Sequence, residues 1–233
     1  MKKIKLFVAI LLVGFSTQLF AQMPSLTRKE KKEGWTLLFD GKTFDGWKMA
    51  TGESFTGKGW KIENGILSTD TAGGKGSDIV TEKEFSDFVL SVEFRLTKGA
   101  NSGIKCFLLK NTSLGCEYQL IDDQNHADAK LGIKGDRKLA SFYDVIAAPS
   151  VKPVKPLGEW NKAVIISRGK HVEYWLNGEK MVVYDRGSEA FKEAIAKSKF
   201  KDVRGFGLSE QSPILLQYHG DIVYFRNIKI KSI

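Results

Sequence analysis

The chain has 233 residues, of which 42% are hydrophobic and 27% are charged, and it contains 23 glycines and 2 cysteines. This length can bury one large core, and two cysteines alone are too few for a structural zinc site, which needs four ligands. The formal net charge is +9, but the lysines are scattered among glutamates without a basic block, and this pattern argues against a nucleic-acid partner.

The first 21 residues have the pattern of a secretory signal peptide. Lysines form a basic start, residues 6–15 are apolar, and Ala21 is a small residue at a suitable cleavage point. Leu19 fits the cleavage pattern less well than alanine would, so an uncleaved anchor is the alternative. No cysteine follows the cleavage point to accept a lipid. We predict export to the periplasm or cell envelope, with no membrane span after residues 1–21 are removed.

The first half of the mature chain consists of a polar segment followed by short strands. Residues 22–33 are polar and predict an exposed lead-in or a short helical turn, and residues 34–233 predict a single domain. Turn dipeptides separate the apolar runs that follow. The strands predicted here cover Trp60–Ile62, Ile66–Ser68 and Phe88–Leu96, the last with alternating apolar and polar residues.

The second half continues this pattern and contains one helix. Asn177-Gly178 is the strongest hairpin signal, and Ser188–Ser198 has apolar residues at helical spacing after an N-cap serine. Prolines make residues 148–158 an extended connection. The predicted strands are Asn161–Ser167, His171–Leu176, Met181–Tyr184, Gly205–Leu208 and Leu215–Ile230, the last interrupted at His219-Gly220. These elements together predict an all-β, antiparallel β-sandwich with one short helix.

Two neighbouring strands place polar residues on one face. Because side chains alternate along a strand, Glu117 and Gln119 point the same way, and Lys105 points away from the apolar face of Ile104 and Cys106. If the two strands pair, a lysine, a glutamate and a glutamine share one wall of a sheet. A sandwich core does not require these residues, so the wall is a candidate ligand-binding surface.

Cys106 and Cys116 are ten residues apart, on either side of the 108–115 connection. In an exported protein this spacing is compatible with a disulfide between neighbouring strands. It is equally compatible with two small buried thiols, because disulfide geometry is demanding.

Six motifs resemble, in the same order, the 3-keto-disaccharide hydrolase domain family. They are GWTLLFDGKTFDGW at 34–47, NSGI at 101–104, EYQLIDD at 117–123, GEWN at 158–161, WLNGE at 175–179 and YHGDIVYFRNIKI at 218–230. The resemblance spans nearly all of the mature chain. It implies a concanavalin A-like jelly-roll sandwich with the ligand on its concave sheet. It also implies an enzyme that cleaves an oligosaccharide or glycoside substrate carrying a 3-keto group.

The implied reaction starts at C2 of the sugar, whose proton is α to the C3 ketone. A base removes this proton, the C1 substituent leaves by elimination, and water adds back. His219 is the predicted base, with a structural role at a strand bend as its alternative. Glu117 is a candidate acid or base, and Lys105 or Arg95 is a candidate to polarise the ketone. These charges could equally pair with one another across the sheet.

The predicted catalytic residues are therefore His219, Glu117 and Lys105. The resemblance and the alternation of side chains add further residues that are predicted to bind the substrate. These are Gln119, Glu93, Arg95, Gln217, Tyr143, Asp144 and Asp122.

A divalent metal ion is a candidate cofactor, because a Lewis acid would also stabilise the enolate. The ligand types that suit such an ion occur at the end of one strand and in the polar loop after it. The candidate ligands are Glu117, Asp122, Asp123 and His126. A solvated turn explains the loop equally well.

Two other classes of function compete with the 3-keto-glycoside enzyme. A non-catalytic, lectin-like carbohydrate-binding module would present a chiefly aromatic wall. A conventional glycoside hydrolase would need two carboxylates across a cleft, about 5 or 6.5–9.5 Å apart, and Glu93 and Glu117 are the candidates. A wall with a base, an acid and a cation favours the 3-keto-glycoside enzyme.

Overall fold

The computed structural model describes residues 23–55, 57–72 and 75–233. The predicted signal peptide at 1–21 lies outside the described residues, so export stays a prediction, as does the division into a leader, a lead-in and one domain. Among the described residues, no helix has both the length and the apolar composition needed to cross a membrane.

The described strands form two antiparallel sheets, which confirms the predicted β-sandwich. The larger sheet has the order β11-β10-β9-β6-β13-β4-β3, with β1 beside β13, and the smaller sheet has the order β2-β5-β12-β7-β8. The strands are β1 Thr36–Leu37, β2 Trp47–Met49, β3 Trp60–Glu63, β4 Ile66–Thr69, β5 Ile79–Phe85, β6 Phe88–Leu96, β7 Asn101–Cys106, β8 Cys116–Ile121, β9 Asn161–Arg168, β10 His171–Leu176, β11 Glu179–Asp185, β12 Ser212–Leu216 and β13 Val223–Ser232.

Alternating side chains of the two sheets build one continuous core. In β6 the apolar residues Leu90, Val92 and Phe94 are fully buried, whereas Glu93 and Arg95 between and after them are only half-buried. From the smaller sheet, the alternate residues Ile104 and Tyr118 enter the same cluster. The faces of the two sheets that look away from this core are therefore free to carry polar residues.

In the part of the chain that the structure describes, two α-helices lie outside the sheets, and each begins after a serine or threonine cap. α1 (Arg28–Lys32) has a capping box between Thr27 and Glu30, which confirms the predicted helical turn in the lead-in. α2 (Glu189–Ala196) is the predicted short helix, and the Ser188 hydroxyl accepts a hydrogen bond from the Phe191 N–H at 3.2 Å. A single 3₁₀ turn covers Asp128–Lys130.

Of two strand predictions near the C-terminus, the structure corrects one and confirms the break in the other. Gly205–Leu208 is not a strand, because Gly205 and Gly207 have φ angles of +77° and +69° and the segment turns. A Cβ on Gly207 would lie 2.8 Å from Cys116 Sγ, so the turn also needs a residue without a side chain. The predicted interruption of Leu215–Ile230 at His219-Gly220 is confirmed, since it separates β12 from β13, which belong to different sheets, and His219 lies in the connection between them.

The two cysteines face each other across the β7–β8 pair. Both are buried free thiols, and burial raises the pKa of Cys116 to about 12. The structure therefore corresponds to the alternative of two buried thiols, which act as small apolar core residues.

Candidate functional site

The outer face of the smaller sheet forms the floor of the candidate site. On β7 the residues Asn101, Gly103 and Lys105 point to this face, and on β8 the residues Glu117 and Gln119 join them. The register pairs Lys105 with Glu117 and Gly103 with Gln119. The structure thus brings together the lysine, glutamate and glutamine of the predicted wall.

Lys105 and Glu117 form a buried ion pair on this floor. Lys105 Nζ lies 3.4 Å from Glu117 Oε2, and the two side chains are only 10% and 7% exposed. Burial raises the pKa of Glu117, although the Lys105 and Lys199 ammonium groups oppose this shift. A buried pair of this kind costs desolvation, so it is weak evidence of a purely stabilising role.

Gly103 gives Glu117 the space to lie across the floor. A Cβ on Gly103 would be 2.3 Å from Glu117 Oε1 and 2.8 Å from Glu117 Cδ. Such distances are far below van der Waals contact, so a residue with a side chain at this position would displace the carboxylate. Because residue 103 has no side chain, Glu117 can lie close to the sheet, and this sets the depth of the site.

Three amide side chains on the same face have unpaired carbonyl oxygens. The Oδ1 of Asn101 and the Oε1 atoms of Gln119 and Gln217 are buried and have no hydrogen-bond partner. The Gln217 N–H donates to the Gly103 carbonyl at 2.9 Å, which places Gln217 next to the floor. Buried acceptors are normally satisfied, so these oxygens are suited to hydroxyl donors of a ligand.

A cluster of two histidines and an aspartate lies at the Asn101 end of the floor. Asp221 Oδ2 is 3.6 Å from His219 Nδ1 and 3.9 Å from His126 Nε2, and it accepts the Asn101 N–H at 3.1 Å. The other ring nitrogen of His219, Nε2, lies 3.4 Å from Asn101 Nδ2. The Asp221 carboxylate therefore faces Nδ1 of His219, an arrangement that orients a histidine base.

The nitrogen, nitrogen and oxygen atoms of this cluster lie within 4.8 Å of one another, close enough to suggest a metal site. However, the Asp128 N–H donates to His126 Nδ1 at 3.1 Å, so neutral His126 carries its proton on Nε2. An imidazole that binds a metal through Nε2 carries its remaining proton on Nδ1 and donates it. The His126 side chain thus fits a donor to Asp221 better than a metal ligand through Nε2.

The other predicted metal ligands have protein partners. Asp122 accepts the N–H groups of Gly99, Gln124 and Asn125, and these bonds lower its pKa against the opposing effect of burial. Asp123 accepts from Lys152 Nζ and from a backbone N–H, both at 2.7 Å. The divalent cation stays a prediction.

Two loops cover the β8 side of the floor. The Tyr143 N–H donates to the Glu117 carbonyl at 3.1 Å, so the chain runs beside β8 and sets the Tyr143 ring next to Glu117. Lys199 follows α2, and its Nζ lies 4.1 Å from the centre of the Tyr143 ring. Asp144 faces away from the floor and ties the loops together, since it accepts from Arg137 Nε and from the Lys199 N–H.

The floor and the loops enclose a pocket of about 140 Å³. It contains six of the predicted site residues, namely Lys105, Glu117, Gln119, Tyr143, Gln217 and His219. Asn101 and Lys199 also line it and were not predicted. A larger cavity of about 480 Å³ lies beside the Pro-rich connection, but two of the three acids that line it, Asp122 and Asp123, are already hydrogen-bonded.

The structure does not bring Glu93 and Arg95 to this pocket. Both lie on β6 in the larger sheet, where Glu93 bonds Arg226 at 2.7 Å and Arg95 stacks on Tyr224 at 4.1 Å. Of the two partners considered for Glu117, Lys105 is therefore the one that pairs with it, and Arg95 is not. Glu93 and Arg95 were predicted to bind the substrate beside Glu117, but β6 and β8 belong to different sheets.

Sequence reasoning missed three functional candidates for different reasons. Asn101 opens the NSGI motif and shares the alternation of Lys105, so the pattern was sufficient to find it. Asp221 is two residues after His219, and its proximity depends on the shape of the β12–β13 connection. Lys199 is far from the wall in sequence, and no local pattern indicates that the segment after α2 returns to it.

A model of the 3-keto-alpha-glucoside-1,2-lyase-like domain family matches residues 34–231. The chain belongs to this family. A "3-keto-disaccharide hydrolase" of Bacteroides thetaiotaomicron is 34% identical over 91% of this chain and 82% of its own length. The family assignment identifies a carbohydrate-active enzyme.

Solved structures of relatives agree with this assignment. The crystal structure of a "putative glycosyl hydrolase" from Parabacteroides distasonis is 35% identical and has a TM-score of 0.80, covering 91% of this chain and 100% of its own. A second structure of that description from the same organism is 26% identical, with a TM-score of 0.64 over 85% of this chain and 99% of its own. Their sandwich folds agree with the predicted fold class.

Proposed function

We propose that the protein cleaves 3-keto-glycosides, including 3-keto-disaccharides, by proton abstraction at C2, elimination at C1 and hydration. The observation that carries this proposal is the composition of the pocket. A histidine backed by a carboxylate lines one end, a buried Lys105–Glu117 pair lines the other, and unpaired amide oxygens lie between them. The name of the 34% identical relative supports the same substrate class.

His219 is the proposed base for the C2 proton. Asp221 faces Nδ1 of His219 and is itself held by the Asn101 N–H, so the Nδ1 proton is directed towards the carboxylate. This leaves the lone pair on Nε2, which lies on the Asn101 side of the ring. A carboxylate in this position fixes the tautomer and the orientation of the imidazole, as in other base–carboxylate pairs.

Lys105 is proposed to stabilise the enolate oxygen at C3. Its ammonium is held by Glu117 and by the Ser113 carbonyl at 3.4 Å, so a positive charge is fixed in a partly dry pocket. A preorganised charge in such a site is worth more than in water. The carbonyl oxygens of Gln119 and Gln217 are placed to accept hydroxyl groups of the sugar.

The proposed steps conserve atoms and charge. His219 takes the C2 proton, and the electron pair forms the enolate. The enolate collapses, the C1–O bond breaks, and the leaving oxygen takes a proton. Water then adds its oxygen to C1, and a proton returns to C2. One water is consumed, and the products are a 3-keto sugar and an alcohol.

Neither alternative class fits the pocket as well. A conventional glycoside hydrolase needs two facing carboxylates, but among the described residues that line the pocket Glu117 is the carboxylate, and Glu93 lies on the other sheet. A lectin-like module would need an aromatic wall, whereas the floor here consists of charged and amide side chains.

The direct experiment incubates the purified protein with a 3-keto-disaccharide and, separately, with the unoxidised parent sugar. We expect cleavage of the 3-keto substrate only, because the parent has no acidic C2 proton. An intact 3-keto substrate would overturn the proposal, and so would cleavage of the parent at a similar rate.

Export from the cytoplasm is proposed as well, and an envelope protein that still begins at Met1 would contradict cleavage of the leader.

A further inference from the structure

We propose that Lys199 is the acid that protonates the leaving oxygen when the C1–O bond breaks. This inference rests on the proposed function, which requires a proton donor for an alcohol leaving group but does not name one. Sequence reasoning gave no sign of Lys199, because the residue follows α2 and belongs to neither strand of the wall.

Lys199 is the lysine of the pocket whose ammonium is not neutralised. Lys105 is held by Glu117, whereas Lys199 Nζ has no carboxylate within 4.0 Å among the described residues. Its ammonium lies instead 4.1 Å from the Tyr143 ring and 5.1 Å from the Phe200 ring. A cation held on aromatic faces keeps its N–H donors available to a ligand.

The loop that carries Lys199 is fixed rather than loosely attached. The Lys199 N–H donates to Asp144 Oδ2 at 2.7 Å, and Asp144 is itself bound by Arg137. Arg137 Nη1 also donates to Asp128 Oδ1 at 2.8 Å, so a chain of ion pairs connects two loops. Phe200 stacks on Phe206 with a centroid distance of 4.1 Å. These contacts hold the lysine stem at the rim of the pocket.

The surroundings also favour proton donation. Partial loss of hydration lowers the pKa of Lys199, and Arg137 acts in the same direction, against the opposing carboxylates of Glu117, Asp144 and Asp128. An ammonium with a lowered pKa gives up its proton more readily near neutral pH. Glu117 is less suited to this role because it lies flat over Gly103 with one oxygen on Lys105.

Lys199 and the proposed base lie at opposite ends of the floor. His219 is next to Asn101, whereas Lys199 is next to Tyr143, whose backbone is bonded to Glu117 opposite Lys105. The His219 and Lys199 side chains both line the same pocket of about 140 Å³, so a sugar ring within it can present C2 to the histidine and the oxygen on the adjacent C1 to the lysine.

In the proposed step, a proton moves from Lys199 Nζ to the glycosidic oxygen while the C1–O bond breaks. Lys199 becomes a neutral amine, and the bonding electrons stay on the departing alcohol. During hydration the amine takes a proton from the water that adds to C1, which restores the ammonium. No oxidant or reductant is needed, because the substrate already carries the ketone.

The test compares two 3-keto-glucosides whose leaving groups differ in acidity, a nitrophenol and a second sugar. We expect Lys199→Met to lower turnover of the 3-keto-disaccharide by about 10²–10⁴-fold, the usual contribution of a positioned acid. The nitrophenyl substrate should lose less than about tenfold, because nitrophenolate leaves without a proton. Lys201→Met, at an exposed position two residues away, is the matched control and should change neither.

Lys199→Arg separates proton donation from charge. Arginine keeps the positive charge but does not give up a proton, so we expect it to fail on the disaccharide as Lys199→Met does. Rescue by arginine, or equal losses on both substrates with an unchanged melting temperature, would overturn the assignment. If wild type cleaves neither substrate, the proposed function fails as well. If wild type cleaves both and Lys199→Met is fully active, this inference alone is wrong.

Discussion

The outer faces of the two sheets carry similar residue types but treat them differently. On the larger sheet, Glu93 bonds both Arg226 and Asn227, and the Arg95 guanidinium lies against Tyr224 and Trp160. On the smaller sheet, Glu117 and its lysine partner are almost fully buried under loops, beside amide oxygens that have no partner.

This difference shows which features distinguish a binding face from a solvated face. Charge alone does not distinguish the two faces, since a strand on each face carries a glutamate beside a basic or amide residue. The separating features are a loop cover, buried charge and unsatisfied acceptors, which cost stability unless a ligand completes them.

The largest effect is expected from His219→Ala. Removing the base should lower turnover of a 3-keto-glycoside by about 10²–10⁴-fold, while binding changes much less. Steady-state kinetics and a binding titration of the folded variant measure the two effects. His171→Ala is the control, because His171 forms a similar pair with Asp185 at 2.8 Å on the larger sheet and should retain full activity. Full activity of His219→Ala would remove His219 from the mechanism.

A smaller but clear effect is expected from Gly103→Ala. The new methyl group would overlap Glu117 Oε1, so the carboxylate must move and Lys105 loses its fixed position. We expect a loss of stability of about 1–3 kcal/mol, as in other overpacked sites, together with a loss of turnover. Thermal unfolding and kinetics check this. An unchanged enzyme would show that the depth of the floor does not matter.

The buried carboxylate should also be visible in the pH dependence of stability. Burial raises the pKa of Glu117 above its usual 4.5, so its contribution to stability is full below pH 4.5 and is lost as pH rises through the folded value. Wild type should therefore lose stability relative to Glu117→Gln as pH increases. The exposed Glu179→Gln is the control and should show no such trend. A flat difference between wild type and Glu117→Gln would contradict the stated burial.

The smallest effect is expected on the larger sheet. Glu93→Gln removes a half-exposed ion pair with Arg226, so the free energy of unfolding should change by about 1 kcal/mol or less and turnover should stay as in wild type. A tenfold loss of turnover would return Glu93 to the site and would erase the contrast between the two faces.

Much of the fold could be predicted because its signals are local. Alternation in Phe88–Leu96 predicted β6, and Asn177-Gly178 predicted the β10–β11 hairpin, where Asn177 has a φ angle of +49°. Gly205–Leu208 was wrongly predicted as a strand, because its apolar residues do not show that the backbone turns within this segment. The wall at Lys105 and Glu117 was also readable from alternation.

The rest of the site depends on long-range packing. The sequence of a strand does not show which of the two sheets it joins, so Glu93 was grouped with Glu117. Asp221 reaches His219 only because β12 and β13 enter different sheets and leave a bent connection between them. Lys199 reaches the pocket through the ion pairs of Asp144, which no short motif indicates.

The proposed mechanism requires a proton to leave C2 before the glycosidic bond breaks, and cleavage of a 3-keto-disaccharide in D₂O can detect this proton transfer. The released 3-keto sugar is analysed at C2 by mass spectrometry and NMR, with the same 3-keto sugar incubated without enzyme as the control for spontaneous exchange. We predict deuterium at C2 well above that control, because the proton taken by His219 exchanges with solvent before hydration. A cleaved product that keeps its original C2 hydrogen would contradict the account and would indicate direct hydrolysis.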